Sequence, residues 1–378
     1  MSASVNEANK RIAIFLPGLY DGGAQRVMLN LAGGLTSQGF DVDIVLAQAE
    51  GPYLSEVPSS VRIVELNKRH YSAQRTLSSI PALVRYLRNE QLIAMLSGLN
   101  YVNVVAVWAK KLSGIPLRLI ISEHNTFSSE RTHFSRYYRW MLETFMKSAY
   151  PRADGIIAVS EGVAEDLAQV FKIPREKISV IYNPIITPVI QAKKDEPLDD
   201  PWFGSNQPPV ILAIGRLTRQ KGFDILIKAF AQVRKQRPAH LLILGEGEER
   251  KSLIDLSREL GLDQDIRMPG FVINPYPYMA KASMFVLSSR WEGLPTVLVE
   301  ALYCGSPLIA TDCPSGPREI LKNGLYGKLV PVDNVEALEE AILSVLDGEK
   351  SSIPPSSWQA FEINTVIGQY KRVLLGSH

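Results

Sequence analysis

The chain has 378 residues, 46% of them hydrophobic and 21% charged, the proportions of a soluble globular protein long enough for two domains. Two cysteines, Cys304 and Cys313, are too few for a disulfide framework or a metal site, and no charged segment leading into an apolar one opens the sequence, so a reducing cytoplasm is the expected compartment. The most apolar stretch, residues 92–109, is interrupted by Ser97, Gly98, Asn100 and Asn103, which makes it a strand and a buried helix and excludes a membrane span.

In chain order, short β-type runs at 12–16, 42–47, 61–66, 92–96, 117–122, 155–159 and 178–181 alternate with helical runs, a pattern that predicts a parallel sheet wrapped by helices. Pro17-Gly18-Leu19-Tyr20-Asp21-Gly22-Gly23 follows the first run and opens a helix, without forming the Gly-x-Gly-x-x-Gly dinucleotide fingerprint. Inside that helix Gly33-Gly34 costs about 1 kcal/mol per glycine relative to alanine, and close helix packing is the expected reason. Another strand end carries Glu123-His124-Asn125-Thr126. Although the net charge is only +2, residues 60–152 hold 14 Lys and Arg against 5 Asp and Glu. There Arg131, Arg136 and Arg139 interleave with Tyr137, Tyr138 and Trp140, a combination expected to meet an anionic membrane surface. An ordinary amphipathic helix with a solvated basic side is the plainer reading. Nucleic acid is not an expected partner, because no nucleic-acid motif accompanies the patch.

Residues 183–209, rich in Pro, Asp and Lys, read as a connection. Strand-like runs resume at 210–214, 239–244, 266–268, 284–287, 307–310 and 328–330. The expected organisation is a first domain over 1–190, a linker over 191–208, a second domain over 209–355 and a terminal helix within 356–378. Gly215 ends a strand and permits close backbone approach; Arg216 then offers a planar fork of donors and Lys221 a compact point charge. Past the run at 284–287, Glu292 and Glu300 bracket Gly293-Leu294-Pro295-Thr296. Pro295 suits a first helical position, the free amides behind it attract an anion, and Glu300 falls one turn down the face of Thr296. A sugar-hydroxyl acceptor, a phosphate seat and a ribose-hydroxyl acceptor in that order outline a nucleotide-sugar site.

Glu292-x7-Glu300, joined to Gly215-Arg216-Leu217-x3-Lys221-Gly222, resembles the retaining GT4 glycosyltransferases over nearly the whole chain. The resemblance implies an α/β fold of the GT-B type, with two Rossmann-like domains facing across a deep cleft and a C-terminal helix crossing back to the N-terminal domain. It implies transfer of a hexose or N-acetylhexosamine from a nucleoside-diphosphate sugar, expected to be a UDP-sugar, to a glycan acceptor, expected to be lipid-linked, in polysaccharide or glycoconjugate assembly. Arg216 and Lys221 would bind the diphosphate, Glu292 the sugar, Glu300 the ribose, and His124 the transferred hexose. Gly22, Gly23, Gly215, Gly293, Leu294, Pro295 and Thr296 would approach the donor, and the backbone at Val272 would grip the base edge. The leaving phosphate would help take the acceptor proton in a front-face displacement. No Asp-x-Asp motif stands in a suitable loop, so neither a metal nor another cofactor is expected. Cys313-Pro314-Ser315-Gly316-Pro317-Arg318-Glu319 is similar to members that build bacterial surface polysaccharides and lipid-linked oligosaccharides, which implies a peripheral place at the inner face of the cell membrane. A nucleotide-sugar epimerase on the same fold would share the two-domain cleft while using other acid and base residues.

Overall fold

The computed structural model of the chain describes residues 10–20, 22–67, 78–130, 135–349 and 351–376. They fall into two compact units, Met1–Pro184 with Ile363–His378, and Ile185–Glu362.

The first unit holds a sheet of β1 (Arg11–Leu16), β2 (Asp41–Leu46), β3 (Arg62–Glu65), β4 (Ala94–Gly98), β5 (Arg118–Glu123), β6 (Gly155–Ala158) and β7 (Ile178–Val180). Its order is β3-β2-β1-β4-β5-β6-β7, and every neighbouring pair is parallel. Near-continuous apolar runs such as Ile12–Leu16 suit strands buried on both faces. The covering helices are α1 (Gly23–Ser37), α2 (Ile80–Asn89), α3 (Asn100–Ser113), α4 (Phe127–Glu130), α5 (Arg136–Ala149) and α6 (Glu161–Phe171). Strand order reverses between β1 and β4, so the loops leaving those two strands flank the crevice where open α/β sheets take ligands.

The second unit repeats the plan with β8 (Val210–Ile214), β9 (His240–Leu244), β10 (Ile266–Gly270), β11 (Met284–Leu287), β12 (Leu308–Thr311) and β13 (Lys328–Val330), in the order β10-β9-β8-β11-β12-β13. Around them lie α7 (Pro188–Lys193), α8 (Phe223–Gln236), α9 (Arg250–Glu259), α10 (Tyr276–Lys281), α11 (Thr296–Cys304), α12 (Pro317–Ile320) and α13 (Val335–Leu346). Here the order reverses between β8 and β11. Those are the strands that lead into Arg216 and into Glu292.

The last helix, α14 (Ile363–Leu375), belongs to the first unit and buries Val366, Ile367, Tyr370 and Leu374 in its core. A Cβ on Gly34 of α1 would stand 2.6 Å from two carbons of Ile367, so helix packing does account for that glycine. The same test at Gly33 meets only Pro58, at 3.7 Å, an ordinary contact that leaves Gly33 without a packing reason.

Three boundaries differ from those read off the sequence. The units divide after Pro184 and after Glu362 rather than at 190 and 355. Residues 191–208 are packed rather than free: Asp200 pairs with Arg267 at 2.9 Å and Trp202 stacks on His240 with ring centroids 4.2 Å apart. Their proline-rich composition specifies irregular backbone, not an absence of contacts. Trp358, expected inside the terminal helix, lies instead in a 3-10 turn (Pro355–Phe361), with its ring edge-on to Tyr303 in the second unit.

Candidate active site

In the second unit two loops meet at the C-terminal ends of β8 and β11. The first begins at Gly215, where a Cβ would press on the stem of Lys221 at 3.2 to 3.4 Å; its absence lets the lysine lie across the strand end. Gly222 takes φ 61° and a Cβ there would stand 2.2 Å from the carbonyl oxygen of Ser288, so only glycine lets the two loops touch. Lys221 Nζ reaches Glu292 Oε1 at 2.6 Å, with side chains only 14% and 7% exposed. Ser289 donates its hydroxyl to the same oxygen at 2.6 Å. The two residues read from the sequence as holding phosphate and sugar thus hold each other. Arg216, by contrast, is exposed, and its side chain has no hydrogen-bond or ion-pair partner among the described residues. A guanidinium left unpaired beside a paired lysine is suited to an anion.

Arg290 ties the two loops together. Its Nη1 and Nη2 meet both oxygens of Asp224 at 3.0 and 2.9 Å, Nη1 also meets the carbonyl of Arg219 at 2.8 Å, and Nε meets Asp333 at 2.7 Å. Burial pushes the Asp224 carboxyl up, but the Arg290 guanidinium outweighs it and holds the group below its ordinary range. Ser288 Oγ donates to the Lys221 carbonyl, Gln220 Nε2 to the Trp291 carbonyl, and the Arg290 amide to the Gln220 carbonyl. Sequence reading missed Arg290, Asp224 and Ser289. Ser289, three residues before Glu292, was the one with a local signal.

A third loop closes on Glu292: its amide donates to the Pro314 carbonyl at 2.7 Å, its carbonyl accepts from the Ser315 amide, and Ser315 Oγ donates to the Gly293 carbonyl. Gly316, at φ 96°, has no room for a Cβ, which would lie 2.6 Å from Pro295 Cδ. Pro295 is the residue before the helix, not its first; α11 begins at Thr296 because Pro295 keeps ψ at 100°. Gly293, Leu294 and Pro295 are buried, so they offer backbone rather than side chains. Thr296 and Glu300 are half-buried on α11, and Val272 is half-buried between the exposed Phe271 and Ile273. Both thiols are pushed up to about 12, first by burial, and neither is a ready nucleophile. Among the described residues no group of three or more His, Cys, Asp and Glu is placed to hold a metal ion.

In the first unit Gly22 precedes α1 and Gly23 opens it; a Cβ on Gly23 would meet nothing within 4 Å, so the helix N-terminus is open there. His124 follows β5 and is 8% exposed. Its Nε2 lies 3.0 Å from Ser122 Oγ, while Nδ1 is buried with no partner among the described residues. Burial lowers its pKa from an ordinary 6.5 to about 4, so the ring is neutral at physiological pH. Glu123 turns inward, accepting from Asn103 Nδ2 at 2.8 Å and from Tyr150 Oη. Burial, then the phenols of Tyr138 and Tyr20, raises Tyr101 to about 12. Tyr20 lies in the loop before α1 and Tyr101 on the first turn of α3, so no local spacing in the sequence joins them.

Arg131 lies outside the described residues. Arg136, Arg139 and Trp140 stand together on the first turns of α5, all exposed, with Tyr137 73% and Trp140 65% exposed. Leu142, Met146 and Ala149 form the opposite, buried stripe. Among the described residues no helix is long and apolar enough to cross a membrane.

Residues 21–187 match glycosyltransferase family 4 and residues 197–354 match glycosyl transferases group 1. The chain is 32% identical over 349 residues to the N-acetylgalactosamine-N,N'-diacetylbacillosaminyl-diphospho-undecaprenol 4-alpha-N-acetylgalactosaminyltransferase of Campylobacter jejuni, covering 90% of this chain and 91% of that enzyme. It is 27% identical over 347 residues to the GalNAc-alpha-(1->4)-GalNAc-alpha-(1->3)-diNAcBac-PP-undecaprenol alpha-1,4-N-acetyl-D-galactosaminyltransferase of the same organism, covering 90% and 89%. In structure it is similar to Anabaena HepE in complex with UDP and glucose, with a TM-score of 0.79 at 20% identity, covering 97% of this chain and 100% of that one, a likeness of fold. With two parallel sheets in the GT-B plan and these matches along its length, the chain belongs to glycosyltransferase family 4 and is a glycosyltransferase.

Proposed function

We propose that this glycosyltransferase moves an N-acetylhexosamine or hexose from a UDP-sugar to a lipid-linked glycan, with retention at the anomeric carbon and without a metal ion. The observation that carries the reading is the second unit's cation pair, a partnered Lys221 beside an unpartnered Arg216, at the point where strand order reverses. As the anomeric C–O bond breaks, negative charge grows on the departing β-phosphate. Preorganised cations aimed there stabilise the transition state by several kcal/mol and do work that a divalent ion does elsewhere. The acceptor oxygen bonds to the anomeric carbon on the same face, and its proton passes to the departing phosphate oxygen, so UDP leaves protonated and the new bond keeps the old configuration. Glu292 and Glu300 accept hydroxyls of the sugar and ribose, and the amides of Gly293, Leu294 and Thr296 approach the diphosphate beside Pro295, which has no N–H. Gly215, its own amide held by the Leu244 carbonyl, lets the backbone come close, and the backbone at Val272 meets the base. In the first unit the Gly22 amide donates to the Tyr20 carbonyl and its turn presents Gly23, whose amide at the start of α1 is open to an anion, and His124 borders the transferred sugar.

The two Campylobacter enzymes supply the acceptor class, since their names specify diphospho-undecaprenol-linked saccharides. The exposed Arg136, Arg139, Tyr137 and Trp140 of α5 suit an anionic lipid surface at the inner face of the cell membrane, where such an acceptor resides. The test is purified protein with UDP-GalNAc, UDP-GlcNAc or UDP-glucose, with and without a diphospho-undecaprenol-linked N-acetylhexosamine, in the presence of a chelator. Transfer that needs the acceptor, survives the chelator and yields an α-linked product is the expected outcome. A β-linked product, loss of transfer with the chelator, or a donor epimer formed without acceptor would each overturn the corresponding part.

A further inference from the structure

The contact between Lys221 and Glu292 assigns Glu292 a second task. The pair is nearly dry, and both of its hydrogen-bonded donors, Lys221 Nζ and Ser289 Oγ, converge on one carboxylate oxygen. A lysine so neutralised attracts a diphosphate less than a free one does, because the carboxylate 2.6 Å away repels the same anion. A donor sugar changes that balance: its hydroxyls give Glu292 new hydrogen bonds, and the carboxylate can share or yield the lysine without being left buried and unsatisfied. When the sugar has moved to the acceptor those hydroxyls depart, while the nucleoside diphosphate is still in place. An uncompensated buried carboxylate is strongly unfavourable, so Glu292 then competes with the diphosphate for Lys221.

We propose that Glu292 is the resting counter-ion of Lys221, which weakens the site's hold on a nucleoside diphosphate that carries no sugar and so promotes product release. The site thereby discriminates donor from product through one carboxylate. Arg216, exposed and unpaired, has no such competitor and acts as the constant part of the phosphate seat. This inference rests on the reading of the second unit as the donor site.

The experiment is calorimetric titration of UDP into the full-length protein, the Glu292→Gln variant, the Lys221→Gln variant and the double variant. Glutamine keeps the shape and the hydrogen bond from Ser289 while removing the charge. Glu292→Gln is expected to bind UDP about tenfold more tightly than the parent, and the gain is expected to vanish in the Lys221→Gln background. Unchanged or weaker UDP binding by Glu292→Gln overturns the proposal, as does an equal gain with and without Lys221, which would mean that the carboxylate acts on the anion directly. If Glu292→Gln fails to fold, Ser289→Ala provides the second route: removing a hydrogen bond to Glu292 leaves the carboxylate more dependent on Lys221, and UDP is expected to bind more weakly. Tighter binding by Ser289→Ala would count against the counter-ion role. A parent protein that binds no UDP at all would sink the donor-site reading itself, a result separate from any difference among variants.

Discussion

Lys221 and Glu292 stand 71 positions apart and meet at 2.6 Å because glycines at 215, 222 and 316 clear the backbone around them. The sequence motif named both residues but assigned them to different atoms of a ligand. Their mutual contact depends on two loops from two strands, which no local spacing encodes. The same holds for Arg290, whose partners Arg219, Asp224 and Asp333 are 71, 66 and 43 residues away. His124 offers a prediction at this scale. Its folded pKa, near 4, lies below the unfolded value near 6.5, so the unfolded chain binds more protons between those pH values. Stability is complete above about pH 6.5 and falls as pH drops towards 4, by about 3 kcal/mol from this group. Thermal melts of the parent and of His124→Gln between pH 4 and 7 check this. The variant should lack that part of the acid slope, and superimposable profiles would refute it.

At the scale of elements, each of the thirteen strand-like runs of the sequence is a strand in the structure, displaced by no more than two residues at either end. Buried parallel strands need unbroken apolar runs, and such runs are visible without any knowledge of their neighbours. Helix ends and packing were less legible. Pro295 stops one residue short of α11, and α14 starts at Ile363, because both ends are settled by contacts with distant loops. The glycine pair in α1 separates local from tertiary effects. Gly33→Ala should raise stability by up to about 1 kcal/mol through helix propensity, since it meets only a distant carbon of Pro58. Gly34→Ala should lower it by about 1 kcal/mol net, because overpacking against Ile367 at 2.6 Å exceeds the propensity gain. Denaturant midpoints of the two variants are expected to move in opposite directions; a shift of both in the same direction would show that α14 does not press on α1 at Gly34.

For the whole molecule, the two units share a plan and differ in charge. The first carries the basic, aromatic start of α5, and the second carries the paired acids and cations. If α5 is the membrane face, replacing Arg136, Arg139 and Trp140 together by alanine should weaken partition onto phosphatidylglycerol vesicles by at least about 30-fold, near 1 kcal/mol for each arginine before the indole is counted. The loss should shrink in high salt. Co-sedimentation of parent and variant reads this out, and equal partition would place the membrane contact elsewhere. The connection and the terminal helix were the least legible parts of the molecule, because composition marks residues 191–208 as irregular and residues 358–362 as helical but cannot say which sheet they pack beside.

The central claim is that the second unit stabilises a departing nucleoside diphosphate with Lys221. Acceptor-dependent turnover of Lys221→Ala, measured at saturating UDP-sugar alongside its melting temperature, tests it most directly. A fall in kcat of about 100- to 1000-fold with the fold retained is the predicted result, whereas turnover like that of the parent protein would contradict the claim.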